Sequence, residues 1–290
     1  MNNNSIPFVF FGTPDFAVTI LDELKKNGLV PNLVVTTPDK PQGRKMILTP
    51  PPVKVWAENN GITVYQPEKL NDSSVAILQE KGQTLFVVAA YGKMIPKSIL
   101  EIPKFGALNW HPSLLPKLRG ASPIVSSILT ETETGVTIML IDEEMDHGPI
   151  IKQKEVISWK DDPNLIPTAS DLEILLAKEG AKMLVEILPK HVSKRTTSKV
   201  QDHARATFTK KITKEDGQID LQDDPVMNLR KIRAYNVWPR AYFFHELKDK
   251  KIRVIITKAN IKENTLEIER VLPEGQKEMF YRDFIKRFSS

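Results

Sequence analysis

The sequence contains no cysteine, which excludes disulfides, thiolate nucleophiles and cysteine-ligated zinc together. No apolar run approaches the roughly 18 residues that mark a membrane-spanning helix. The opening MNNNSIPFVFFGT sets no basic residue ahead of its short apolar stretch, so a signal peptide is not expected. A cytoplasmic protein is the resulting expectation. His147, His191, His203 and His245 are scattered singly, without metal-ligand spacing, and no metal site is expected. There is no internal repeat, and the only compositional oddity is the run Pro50-Pro51-Pro52. Gly12 stands where a dinucleotide-binding loop would begin, but the second and third glycines of G-x-G-x-x-G are missing.

What is present suits a packed protein of one large domain or two: 290 residues, 41% hydrophobic and 27% charged. Charge is uneven. Residues 1–190 hold 19 Lys+Arg against 22 Asp+Glu, a net of −3; residues 191–290 hold 22 against 14, a net of +8. A basic C-terminal third suits a polyanion, because neutralising phosphates with Lys and Arg drives nucleic-acid association. A merely solvated basic surface would read the same way.

The first half alternates two periodicities. Strands are expected at 6–12, 32–37, 62–66, 85–90, 106–111 and 135–142, with helices at 14–27, 52–60, 72–82 and 122–130. That alternation predicts an α/β fold, a Rossmann-like, mostly parallel sheet with helices on both faces. A long amphipathic helix at 168–188 follows, then a polar stretch, 190–204, that reads as a linker. Short strands at 240–246, 251–258 and 265–271 suggest a small OB-like β-barrel. The expected domains are 1–189, the linker 190–204, and 205–290.

The densest chemical signal is Asn109-Trp110-His111-Pro112-Ser113-Leu114-Leu115-Pro116-Lys117-Leu118-Arg119-Gly120. Asn109 and His111 are two apart on a strand and leave it on the same face. They stand at its C-terminal end, where open α/β sheets bind ligands, and an amide and an imidazole side by side can stabilise an oxyanion. The next strand ends in Asp142-Glu143-Glu144-Met145-Asp146-His147-Gly148. An acid from this loop can reach His111, and physical grounds alone leave Asp142 and Asp146 both open. Two basic regions remain: 38–54, with Lys40, Arg44 and Lys45 beside Met46, Ile47 and Leu48, and a C-terminal set including Lys210, Lys211, Lys214, Arg230, Lys231 and Arg233.

These motifs together resemble the methionyl-tRNA formyltransferase family over nearly the whole chain. The likeness rests on Gly12-Thr13-Pro14-Asp15-Phe16-Ala17, Pro38-Asp39-Lys40-Pro41 through Gly43-Arg44 to Pro52-Val53-Lys54, and Val88-Ala89-Ala90-Tyr91-Gly92. It extends through Asn109-x-His111-Pro112-Ser113-Leu114-Leu115-Pro116 with Arg119-Gly120, Thr134-Gly135-Val136-Thr137, Asp146-x-Gly148, Arg233-Ala234 and Trp238-Pro239-x-Ala241. The resemblance implies formyl transfer from 10-formyltetrahydrofolate to initiator methionyl-tRNA by a monomer. It implies Asn109, His111 and Asp146 as the catalytic trio. Ser113, Leu114, Leu115 and Pro116 would line the folate pocket, with the backbone near Val88, Ala90 and Tyr91 facing the pterin. Lys40, Arg44, Lys45, Lys210, Lys211, Lys231 and Arg233 are the expected tRNA contacts. The sequence departs from the family in a short 259–277 segment, which predicts an incomplete barrel, and in Val237, His147 and a less basic Lys45-Met46-Ile47. A formyltransferase of nucleotide-linked amino sugars and a catalytically silent RNA-binding protein are the competing readings.

Overall fold

A computed structural model describes residues 6–43, 45–80, 84–247 and 250–288. Its internal contacts divide the chain into two units that do not follow chain order. One comprises Met1–Arg119, Gly135–Val156 and Ile174–Phe208; the other comprises Gly120–Thr134, Ile157–Glu173 and Thr209–Ser290.

The first unit is built on a seven-stranded sheet. Its strands are β1 (Phe8–Gly12), β2 (Leu33–Val35), β5 (Thr63–Tyr65), β6 (Leu85–Ala89), β7 (Ala107–His111), β9 (Glu133–Leu140) and β10 (Ile150–Ser158), in the order β10-β9-β7-β6-β1-β2-β5. β1, β2, β5, β6 and β7 pair in parallel, and β9 runs antiparallel to β7. All five residues of β1 are buried, as are all five of β6, which is why both read as unbroken apolar runs rather than alternating ones. Between strands lie α1 (Asp15–Lys26), α2 (Pro52–Asn59), α3 (Asp72–Glu80) and the short α4 (Lys97–Leu100). α1 follows Pro14 and buries Ala17, Ile20, Leu21 and Leu24, a stripe at helical spacing.

β3 (Lys40–Gln42) and β4 (Ile47–Thr49) form an antiparallel hairpin within the basic loop. Neither strand has a buried face, so nothing in the hydrophobic pattern announces them. β10 also goes unforeseen, because its burial does not alternate. The two-residue β8 (Arg119–Gly120) pairs with β11 (Phe208–Thr209).

The 190–204 stretch, expected as a linker, is held at several points. α6 (Ala169–Val192) runs through Pro189 into it. His191 donates from Nε2 to the Phe105 carbonyl at 2.9 Å, and Lys199 exchanges backbone hydrogen bonds with Ile150 at 2.8 Å. The strap is held by hydrogen bonds rather than apolar burial, so hydropathy cannot reveal it.

The second unit contains α5 (Pro123–Thr130), α7 (Pro225–Ala234), α8 (Tyr281–Phe288) and a four-stranded antiparallel sheet. That sheet runs β12 (Tyr242–Leu247), β13 (Lys250–Lys262), β14 (Thr265–Pro273) and β15 (Met279–Phe280) in order. α7 is capped by Asp224, whose carboxylate accepts the Met227 amide at 2.7 Å, and it buries Leu229 and Ile232. Neither α7 nor α8 is expected from the sequence. The β-rich C-terminal region is present as an open sheet: among the described residues no pairing joins β12 to β15. Four strands, one only two residues long, are too few to wrap into a closed barrel. The fully buried Phe284 of α8 instead packs into the cluster formed by Phe243, Val254 and Val271.

Candidate active site

The sheet order reverses at β1, which has β2 on one side and β6 on the other. Open α/β sheets bind ligands at that switch, beyond the C-terminal ends of the strands. Gly12 ends β1 against Ala89, and a Cβ there would lie 2.6 Å from Phe10 Cε1 and 3.0 Å from the Ala89 carbonyl oxygen. Only glycine allows this approach. Thr13 Oγ1 then donates to the Tyr91 carbonyl at 3.0 Å, tying the loops after β1 and β6 together. Ala90 between them is exposed, with φ +49°. The Tyr91 ring turns away into the core against Phe11, and burial pushes its hydroxyl up to about 12. What this loop offers a ligand is backbone.

Register places Val88 beside Asn109 on the neighbouring strand. Two residues on, His111 leaves β7 on the same face and is nearly buried. Its Nε2 lies 3.0 Å from the Leu118 carbonyl oxygen. A carbonyl only accepts, so Nε2 carries hydrogen. The other nitrogen, Nδ1, is 3.5 Å from Asp146 Oδ1, and Asn109 Nδ2 donates to that same oxygen at 3.4 Å. Asp142 is occupied elsewhere: its Oδ2 is 2.6 Å from His147 Nδ1 and its Oδ1 accepts the Glu144 amide. The structure therefore brings Asp146 to Asn109 and His111, and gives Asp142 a different histidine.

The Ser113–Leu118 loop owes its shape to Thr137, a buried residue of β9. Thr137 Oγ1 donates to the Ser113 carbonyl at 2.7 Å and accepts from the Leu115 amide at 3.3 Å and Gln153 Nε2 at 2.8 Å. One donor and two acceptor sites exhaust a hydroxyl. Ser113 Oγ closes the loop on the Lys117 carbonyl. Leu114 and Pro116 are half-buried, whereas Leu115 is buried. Residues that sequence reasoning missed include Gln153 and Gln201. Both sit in segments without a recognisable pattern, and only tertiary hydrogen bonds reveal them.

The expected tRNA contacts divide. Lys40 and Lys45 are exposed on the hairpin, whose Met46, Ile47 and Leu48 are 67%, 62% and 65% exposed. Asp39 anchors its base through Gln66 and Lys54, whose hydrogen bonds hold the carboxyl below its ordinary value. Arg44 lies outside the described residues. Lys210 and Lys211 are exposed, and Lys231 is half-buried. Arg233 is engaged within its own unit: it donates to the Ile166 carbonyl at 2.9 Å and Asn260 Oδ1 at 3.2 Å, and burial lowers its pKa from the usual guanidinium value. Arg230 likewise donates to the Ile128 and Glu131 carbonyls. Among the described residues no cluster of His, Asp or Glu could hold a metal ion, and no helix is long and apolar enough to cross a membrane.

Comparison with known proteins identifies the family. The formyl transferase profile matches residues 5–188, and the profile of the formyl transferase C-terminal domain matches residues 211–265. A methionyl-tRNA formyltransferase of Chloroflexus aggregans is 45% identical over 240 residues, covering 81% of this chain and 75% of the relative. One from Halalkalibacterium halodurans is 38% identical over 301 residues, covering 96% and 93%. Among solved structures, a 4-N formyltransferase from Francisella tularensis shares the fold with TM-score 0.65 at 20% identity, covering 89% of this chain and 100% of that one. The methionyl-tRNA formyltransferase of Clostridium thermocellum does so with TM-score 0.59 at 16%, covering 92% and 98%. With its matched profiles and its relatives, the chain belongs to the formyl transferase family.

Proposed function

We propose that this protein transfers a formyl group from 10-formyltetrahydrofolate to the α-amino group of initiator methionyl-tRNA. The observation that carries this reading is the meeting of Asn109, His111 and Asp146 at the C-terminal edge of the sheet. The relatives named methionyl-tRNA formyltransferase support the choice of acceptor.

The surroundings suit a folate substrate. The backbone from Val88 to Tyr91, with exposed Ala90, offers peptide groups to the edge of a flat heterocycle. Half-buried Leu114 and Pro116 offer apolar contact, while Ser113 and Leu115 keep the loop in shape. The amine of an aminoacyl ester titrates at or below about 7.7–8.0, so a neutral fraction exists near pH 7 and no strong base is needed. Its lone pair forms the new N–C bond while the carbonyl pair moves onto oxygen. On collapse the bond from carbon to the folate nitrogen breaks, and the amine's proton ends on that nitrogen.

In this mechanism Asn109 donates its amide hydrogen to the developing oxyanion. His111, fixed through Nε2 on Leu118, presents Nδ1 to the side shared by Asp146 and the oxyanion. Asp146 orients the ring and relays the amine's proton. All three groups come from one unit of one chain, so a monomer suffices, and the tRNA substrate assigns the reaction to the cytoplasm. Residues 1–189 serve catalysis and 205–290 bind tRNA, together with the Lys40–Thr49 hairpin. Lys210, Lys211, Lys231, Lys40, Arg44 and Lys45 supply cations, whereas Arg233 holds its own unit together.

The test is incubation with labelled 10-formyltetrahydrofolate and, separately, methionyl initiator tRNA and a nucleotide-linked amino sugar. N-formylmethionine recovered after deacylation supports the reading. Formyl found on the sugar alone, or on neither acceptor, overturns it.

A further inference from the structure

Gln201 lies in the polar stretch after α6 yet is only 4% exposed. Its carboxamide has no unused capacity. Nε2 donates to the carbonyls of Asp146 at 2.9 Å and Gly148 at 2.8 Å, and Oε1 accepts from Arg119 Nε at 3.2 Å and Nη2 at 2.8 Å. The opposite amide orientation would set NH₂ against a guanidinium and oxygen against two carbonyls, so the hydrogen-bond network fixes this one.

The residue it grips has reason to need holding. Asp146 has φ +51°, a region that residues other than glycine seldom occupy without support from their surroundings. Beside it, Gly148 lies so close to the Leu140 carbonyl that a Cβ would sit 2.0 Å from the oxygen. Arg119 is 3% exposed and follows Leu118, whose carbonyl receives His111 Nε2. Its Nη2 also donates to His203 Nδ1 at 2.9 Å, and the His203 ring stacks at 4.0 Å on His147, next to Asp146 in sequence. The Gln201–Arg119 pair therefore joins the two sides of the imidazole: the carbonyl on Nε2 and the turn that carries the carboxylate facing Nδ1.

We propose that Gln201 is a positioning residue for formyl transfer: through the Asp146 and Gly148 carbonyls it sets where the Asp146 carboxylate stands against His111 and Asn109. The inference rests on the reading of Asp146 as the acid of the site, and its test separates the two. Gln201→Glu keeps size and the acceptor for Arg119 but removes both N–H donors and sets a second oxygen against the carbonyls. A displaced catalytic group commonly costs on the order of 10–10²-fold in rate. The expected result is a fall of that size in kcat, with KM for folate and for tRNA within about twofold of wild type.

A double-mutant cycle with Asp146→Asn decides whether Gln201 acts through Asp146. If it does, Gln201→Glu lowers kcat by less than about threefold in the Asp146→Asn background. Thermal melting confirms folding. If Gln201→Glu does not fold, Gln201→Met, which also lacks the donors, is carried through the same cycle. Unchanged kcat, equal losses in both backgrounds, or an effect confined to KM overturns the proposal. If Asp146→Asn alone leaves kcat unchanged, the acid assignment falls, and this inference falls with it.

Discussion

Replacing Asp146 by Asn tests the site most sharply, because the outcome follows from which hydrogen sits where on His111. The Leu118 carbonyl requires hydrogen on Nε2, so in the neutral ring Nδ1 holds a lone pair. The Asp146 carboxylate is the acceptor that faces that nitrogen. An asparagine sets an N–H donor there and cannot take up the amine's proton. The variant thereby loses the proton relay and the orientation of the ring, while side-chain volume is kept. Loss of a comparable carboxylate behind a histidine costs up to about 10⁴ in kcat. The separation of 3.5 Å here is looser than a tight pair, so a fall of about 10²–10⁴, or ~3–5 kcal/mol of transition-state stabilisation, is expected. Asp142→Asn breaks only the contact with His147, where both side chains are partly solvated, and should cost less than about threefold, as exposed pairs do. Single-turnover formyl transfer at saturating tRNA, with thermal melts of both variants, makes the comparison. Equal losses, or a larger loss for Asp142→Asn, would refute the reasoning.

Asn109→Ala removes one oxyanion donor and should lower kcat by roughly 10²–10³ with little change in the KM for folate, read by initial rates. Arg44→Ala combined with Lys45→Ala should raise the KM for tRNA and flatten the salt dependence of binding by about 0.7–0.9 in log–log slope per lost phosphate contact; folate-donor hydrolysis without tRNA should not change. Arg233→Ala should act differently: it leaves the Ile166 carbonyl without its donor, so the melting temperature should fall while the salt slope stays parallel to wild type.

The parts legible in the sequence are those with a burial pattern. β1 and β6 read as buried strands because all their residues face apolar neighbours, and α1 reads as a helix because its buried residues recur at helical spacing. The Asn109–His111 pairing was legible from strand periodicity alone. The choice of Asp146 over Asp142 came from the family resemblance and not from periodicity, since physically it depends on a left-handed turn and on His147 taking Asp142. Arg233 looked like a phosphate ligand because sequence counts charges without showing what each side chain already holds. Gln201 was invisible for the same reason in reverse: its partners are backbone carbonyls and a distant arginine, and its neighbours in sequence are polar.

The central claim is that the amine attacked at this site belongs to methionine on an initiator tRNA. Its most direct test is kcat/KM for formyl transfer from 10-formyltetrahydrofolate, measured for methionyl initiator and methionyl elongator tRNA under identical salt. Rapid formylation of the initiator with a strong preference over the elongator is the predicted result. Absence of N-formylmethionine from the initiator tRNA, or equal formylation of initiator and elongator, with wild-type protein folded and donor intact, would contradict the account.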